Sequence, residues 1–260
     1  MLTLIAVVSS AGGAGRSTLT AQLAALIAHG RHPVAVLELD AQNSVGTLLG
    51  LRDVSEKGVL TLGEAPAGWR SIVQTTPDGV SLLAAGRAGA AEAQAFARWL
   101  DAEPTGLRRQ LDALGLPQGT RVLIDTARLP DAVAQAAVAS ADRVLGIVPV
   151  TTAGYVTQPD LMAAAGERCH LIANFTAANS ALANDLLQMI QARAGERMAP
   201  ARVHRDDAVG IAAASGASRL PHSEGSQAAH DFAHLAAWLV TSTAQGAGHV
   251  APSPSGEAQP

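Results

Sequence analysis

The chain has 260 residues, 48% of them hydrophobic and 15% charged, with a formal net charge of −4. That length suits one α/β domain, or at most two small ones, with ample apolar side chains for a core. The negative charge argues against a surface that coats nucleic acid. One cysteine, Cys169, excludes an intramolecular disulfide, fits a reducing cytoplasm and, within an apolar strand pattern, reads as a buried thiol. No apolar run reaches the ~18 residues of a membrane span. Met1–Val8 lacks the basic flank of a signal peptide. The expectation is a soluble, cytoplasmic protein.

The first predicted element is a buried strand, Leu2–Val8. Ser10-Ala11-Gly12-Gly13-Ala14-Gly15-Arg16-Ser17-Thr18 follows it, and an amphipathic helix is expected over Ser17–Ala28. This is close to the phosphate-loop pattern G-x-x-x-x-G-K-[ST], with Ser10 at the first glycine and Arg16 at the lysine. In such loops glycines let the backbone amides point inward at an anion, and the following helix adds its dipole. The basic side chain meets the outer phosphates and the hydroxyl binds Mg²⁺. Of the 18 basic residues only Lys57 is a lysine, and it is remote from the loop in sequence. Arginine keeps the charge and can fork onto phosphate oxygens, but it is longer and planar. Binding is therefore expected more firmly than turnover.

The second strand, Pro33–Leu39, leads into Asp40-Ala41-Gln42-Asn43. Residues Val54–Pro77 are the least readable stretch. A strand over Val80–Ala84 and a helical pattern over Ala88–Leu114 come next. The strand Arg121–Ile124 runs into Asp125-Thr126, followed by a helix over Ala132–Ser140 and strands over Arg143–Val150 and His170–Asn174. A helix over Ser180–Ala194, a strand over Ala201–His204 and a helix over Gln227–Thr241 complete the series. The Gly/Ser/Pro-rich Gly246–Pro260 reads as a disordered tail. Strands alternating with helices give an α/β fold, a mostly parallel central sheet with helices on both faces, in a single P-loop domain over 1–245. A ligand belongs at the carboxyl ends of those strands. Asp40 and Asp125 both fall there. Paired with a phosphate loop, such carboxylates hold a Mg²⁺ shell and orient water. Taken singly, each would read as a helix cap.

Residues 2–18, 34–43, 121–126 and 143–150 together resemble the ParA/MinD group of deviant-Walker ATPases. Asn174-Phe175-Thr176, Ala181–Leu186, His204–Val209, Pro221-His222-Ser223, Ser226–Asp231 and Leu235–Leu239 form a series that resembles the BcsQ (YhjQ) proteins of bacterial cellulose-synthase operons. The resemblance spans about residues 1–242. It implies an ATP- and Mg²⁺-binding protein that forms a face-to-face homodimer with nucleotide between the subunits. It also implies partners in the cellulose-synthase complex at the inner membrane, with peripheral recruitment through them. Carried over by position, Gly12, Gly13, Ala14, Gly15, Arg16, Ser17 and Thr18 cradle phosphate. Asp40 positions water and, with Ser17 and Asp125, belongs to the metal shell. Asn174 reads adenine, and the backbone near His204 and Arg205 flanks the base. Asp40 and Arg16 carry any catalysis.

This chain departs from the family pattern at several positions. Ala11 stands where the family usually has a second, signature lysine; Ala41 stands for a proline; Asp125-Thr126-Ala127-Arg128 replaces an aspartate-proline run. Losing a transition-state cation can cost on the order of 10³–10⁵ in rate, which leaves weak hydrolysis and none both open. Arg128 is a candidate substitute cation, weighed against the plainer reading, an exposed loop arginine. His230 and His234 sit one helical turn apart, but with no further ligand they read as surface histidines. Arg193, Arg197, Arg202, Arg205 and Arg219 read as a solvated or partner-facing surface rather than a DNA site. His249-Val250-Ala251-Pro252-Ser253-Pro254 cannot form a membrane-binding helix, because two prolines interrupt it. Two rivals to an ATP-dependent switch follow: a nucleotide-bound scaffold without hydrolysis, and a DNA-partition or cell-pole positioning ATPase. A dinucleotide-dependent oxidoreductase fits the glycine spacing less well.

Overall fold

A computed structural model of the chain describes residues 1–63, 66–177, 179–220 and 225–246. The elements run β1 (Thr3–Val8), α1 (Arg16–His29), β2 (Val34–Glu38), α2 (Val45–Leu48), α3 (Val59–Leu62), α4 (Pro66–Ser71), β3 (Val73–Thr75) and β4 (Ser81–Leu83). They continue with α5 (Ala90–Ala102), α6 (Gly106–Asp112), β5 (Arg121–Asp125), α7 (Ala132–Ser140) and β6 (Arg143–Pro149). The last are α8 (Thr152–Ala165), β7 (Cys169–Asn174), α9 (Ala181–Ala194), α10 (Asp207–Ala214) and α11 (Gln227–Gly246).

Among the described residues the strands form one seven-stranded sheet, ordered β3-β4-β2-β5-β1-β6-β7. Every pair is parallel except β3 with β4. The expected mostly parallel sheet is thus present, and its strand sequences show why. β1, β2 and β5 are buried almost end to end, as strands covered on both faces must be. Their side chains alternate between the two faces of the sheet, where three apolar clusters form. Ile5, Val7, Val36 and Leu123 pack with α1, α2, α10 and α11. Leu4, Leu37, Val122 and Ile124 pack with α3 to α7, and Ala6, Val8, Val148 and Ala173 with α7 to α9.

Several expectations need correction. α1 is not amphipathic: Leu19, Thr20, Ala21, Gln22, Leu23, Ala24, Ala25 and Ile27 are all buried, because α2 and α11 pack on it beside the sheet. The single helix over Ala88–Leu114 is two, α5 and α6. Pro104 forces the preceding Glu103 out of the helical region, at φ −128° and ψ 77°. Ala201–His204 is no strand. Between its bonds to Leu171 and Ala173 of β7, this segment runs from Ala199 to Val203, four residues' advance against two. Pro200 lies in that stretch without an N–H, and only isolated bridges remain on either side of it, Leu171 to Met198 and Thr176 to His204. α8 answers to no element expected from the sequence, and α10 begins inside the His204–Val209 series. Val54–Pro77 supplies α3, α4, β3 and the fully buried Trp69. Gly246, assigned to the tail, ends α11. The rest of that tail lies outside the described residues, as do Pro221, His222 and Ser223. No helix among the described residues is long and apolar enough to cross a membrane.

Two arginines hold α11 to the sheet. Arg121 at the start of β5 donates to Thr243 Oγ1 and to the Val240 carbonyl, at 2.7 and 2.9 Å. Arg143 at the start of β6 donates to the Ser242 carbonyl at 2.5 Å. Cations against the carbonyls of a helix's last turns complement its dipole.

Candidate functional site

The carboxyl ends of β1, β2, β5 and β7 gather the sequence-predicted residues. After β1 the chain curls through Gly13 and Gly15, at φ 62° and 84°. Both values lie in the left-handed region that suits glycine. A Cβ on Gly15 would lie 2.5 Å from Asn174 Nδ2, so the loop's close approach to β7 requires glycine. Gly15 caps α1 with no side-chain hydrogen bond, and the first turn carries no acidic residue. The amides and dipole at this helix start therefore have no counter-charge from α1's own first turn.

Asp125, at the end of β5, is completely buried. It accepts hydrogen bonds from Ser17 Oγ at 2.8 Å and Thr20 Oγ1 at 3.3 Å. Burial pushes its carboxyl up to about 7, against the lowering effect of Ser17. Asp40 lies just beyond β2; its Oδ1 accepts from the Gln42 amide at 3.0 Å and its Oδ2 pairs with Arg16 at 3.7 Å. Arg16 spreads its fork further, donating from Nε to the Thr126 carbonyl at 2.9 Å and from a terminal nitrogen to the Ala11 carbonyl at 3.5 Å. The arginine at the lysine position thus links the phosphate loop to the segments after β2 and after β5. Glu38, the last residue of β2, is fully buried, and burial pushes its carboxyl up to about 8.

Asn174, at the end of β7, donates to the Ala14 carbonyl at 2.8 Å, and its Oδ1 accepts from the Phe175 amide at 2.9 Å. Beside it opens a cleft of about 250 Å³, lined by Thr18, Asn174, Phe175, His204, Arg205 and Phe232 among others. His204 is oriented from α11: its amide and Nδ1 both meet Asp231 Oδ2, at 2.9 and 2.8 Å. Phe175 stands in the left-handed region at φ 60°, uncommon for a bulky residue. The Arg205 guanidinium lies 5.1 Å from its ring centroid.

Sequence reasoning brought the loop, Asp40, Asp125, Asn174, His204 and Arg205 to one end of the sheet, and the structure places all of them there. It missed Thr20, Phe175, Asp231 and any part for Glu38. Thr20 lies one helical turn beyond Arg16, a spacing that could have been read; Phe175 and Asp231 gave no signal without the fold. Three of the five clustered arginines meet separate partners. Arg193 stacks on Tyr155, Arg205 on Phe175, and Arg219 pairs with Asp78. Arg128 is exposed; its Nη1 lies 4.0 Å from where a Cβ on Gly12 would stand, and it lines a cleft with Ser10, Gln135 and Asp160. His230 and His234 are exposed, and Cys169 is buried, with burial pushing its thiol up to about 11. Among the described residues no group of three His, Cys, Asp or Glu side chains is arranged to hold a metal.

The arrangement suits a polyphosphate: an uncapped helix start, a glycine-built loop, an arginine fork, a hydroxyl against a buried carboxylate and a cleft beside them. Fold and loop together define the P-loop NTPase fold of the MinD/ParA type. The comparisons agree. Apo McdA from Cyanothece superposes with a TM-score of 0.74 at 15% identity, over 94% of this chain and 100% of that one. The Mg-ADP complex of the septum site-determining protein MinD from Pyrococcus horikoshii gives 0.70 at 18%, over 92% and 96%. Cobyrinic acid a,c-diamide synthase from Mycobacterium smegmatis, with an ATP analog and magnesium, gives 0.69 at 18%, over 95% and 97%. No curated protein matches. The family described as cellulose biosynthesis protein BcsQ matches residues 2–240, and the chain belongs to that family.

Proposed function

We propose that this chain is a nucleotide-dependent switch protein that supports bacterial cellulose synthesis. Residues 1–245 act as one P-loop domain and hold Mg·ATP at the end of the sheet. Two copies close face to face over the nucleotide, on the cytoplasmic side, and serve the inner-membrane synthase through partner subunits. The observation that carries this reading is the convergence on one loop of Asp125, through Ser17, and of Asp40, through Arg16. The family match supports the cellulose role. The nucleotide-bound fold relatives support the ligand.

In this reading the amides of Gly12 to Ser17 surround phosphate, and Thr18 lies toward the cleft with Asn174, His204 and Arg205 around the base. Ser17, Asp125 and Asp40 are the residues that would hold the Mg²⁺. Bound ATP supplies a phosphoanhydride and the negative charge to which Arg16 responds. Arg16 now rests on Thr126, Ala11 and Asp40. A phosphate would compete with those partners for it, and Asp40 would be released. That exchange is how occupancy of the loop would reach the segments after β2 and β5.

Ala11 and the engaged fork of Arg16 favour weak hydrolysis, and they sustain a second reading in which nucleotide is a structural cofactor of a scaffold. Sedimentation of the purified protein with and without Mg·ATP tests dimer closure. A nucleotide-dependent shift from monomer to dimer is expected; an unchanged monomer would remove the switch. An Asp40→Ala variant separates the two readings in cells, since cellulose output should fall for a switch and hold for a scaffold.

A further inference from the structure

We infer that Glu38 is the positioning residue that fixes the Asp40 segment, and that it does so by stapling both ends of the turn after β2. The inference rests on the nucleotide reading above for its functional consequence, but its geometry stands apart from it. Glu38 Oε1 accepts from two successive backbone amides at the start of α2, Ser44 at 2.5 Å and Val45 at 2.9 Å. One carboxylate oxygen therefore closes the stretch from Leu39 to Ser44 that carries Asp40. These bonds replace the helix cap that the Ser44 side chain does not provide.

The rest of the turn is tied in the same sense. The Asn43 amide donates to the Asp40 carbonyl at 3.1 Å, and Asn43 itself is left-handed at φ 50°. Its side chain accepts from the Gly86 amide at 3.2 Å and donates to the Ser55 carbonyl at 3.4 Å. Asp40 is thus presented by a turn with no slack, and the deepest anchor of that turn is Glu38. The second carboxylate oxygen, Glu38 Oε2, is buried with no hydrogen-bond partner. A buried polar atom left unsatisfied is destabilising, whichever protonation state it holds. An apolar residue at this core position would avoid that cost but would lose both amide bonds. Glu38 also stands in register with Asp125 on the adjacent strand β5. The staple therefore joins the Asp40 turn to the strand end that holds Ser17.

Reach makes the residue type specific. Glutamine keeps an acceptor at the same distance. Aspartate is one methylene short, and alanine has no acceptor. The test combines amide hydrogen exchange at Ser44 and Val45 with calorimetric titration of Mg·ATP, on the full chain and on Glu38→Gln, Glu38→Asp and Glu38→Ala. In Glu38→Ala and Glu38→Asp we expect exchange at these two amides to rise at least about tenfold, and Mg·ATP affinity to fall about tenfold. Glu38→Gln should restore both to within about threefold of the parent. Unchanged exchange in Glu38→Ala would overturn the staple. Faster exchange with unchanged affinity would overturn its positioning role. Equal loss in folded Glu38→Gln would mean that the charge, not the acceptor, matters, and would also overturn it. Failure of the parent chain to bind Mg·ATP would overturn the nucleotide reading and the functional half of this inference together. The exchange data would still decide the staple.

Discussion

At the scale of single residues the site is a set of carboxylates restrained by their neighbours. Glu38 keeps its proton between its ordinary value of 4.5 and about 8, and Asp125 between 3.8 and about 7, because burial disfavours their charged forms. In those windows the folded chain binds more protons than the unfolded chain, so stability falls as pH rises through them. The ligand-free protein should lose several degrees of melting temperature between about pH 5 and about pH 8. Glu38→Gln removes one of the two protons and should flatten the profile. A parent profile that rises over this range would contradict the burial account. Arg16 gives a second expectation. Its pair with Asp40 competes with phosphate, and Asp40→Ala should tighten Mg-free ATP binding by up to about tenfold, the worth of roughly 1.4 kcal/mol. Weaker binding in calorimetry would show that Arg16 does not move to the phosphates. Thr126, by contrast, sends its hydroxyl to the Val7 carbonyl at 3.0 Å and serves the strand junction.

At the scale of elements, the phosphate loop depends on two strands meeting. Gly15 sits against Asn174 and Phe175 of the β7 end, so Gly15→Ala combines a left-handed backbone with a steric overlap. A loss of roughly 1–3 kcal/mol in denaturant unfolding is expected, along with loss of nucleotide binding. A neutral substitution would mean that loop and strand end are less closely packed than these contacts require. The same junction shows what a sequence can and cannot reveal. β1, its glycines and α1 were legible because a buried strand, positive-φ residues and a helix start are local signals. Asp40 and Asp125 were legible because each directly follows an apolar run. Glu38 was present in the same run but carried no sign of its bonds to Ser44 and Val45, which depend on how the turn folds back. Phe175 looked like any apolar residue; its left-handed backbone and the bond from its amide to Asn174 Oδ1 appear only in the fold. The false strand at Ala201–His204 had the right composition. Pro200 and the mismatch in advance along β7 overrode it. β3 was too short and too poorly buried to stand out.

At the scale of the whole molecule, both sheet faces are covered, and the parts that move with ligand are expected at the strand ends. Three of the five arginines that could have formed a nucleic-acid surface, Arg193, Arg205 and Arg219, meet separate partners, Tyr155, Phe175 and Asp78. With a net charge of −4, the protein should give no retarded band with nonspecific DNA, even at low salt with ATP present. A salt-sensitive shift would return the DNA-positioning reading. The central claim is that the loop, with Arg16 in place of lysine, still holds nucleotide. Calorimetric titration of the purified chain with ATP and Mg²⁺ tests it most directly. Binding at micromolar affinity or tighter, abolished in a Gly15→Ala variant, is the predicted result. A folded protein that takes up no ATP would contradict the account and leave the loop as a turn without a ligand.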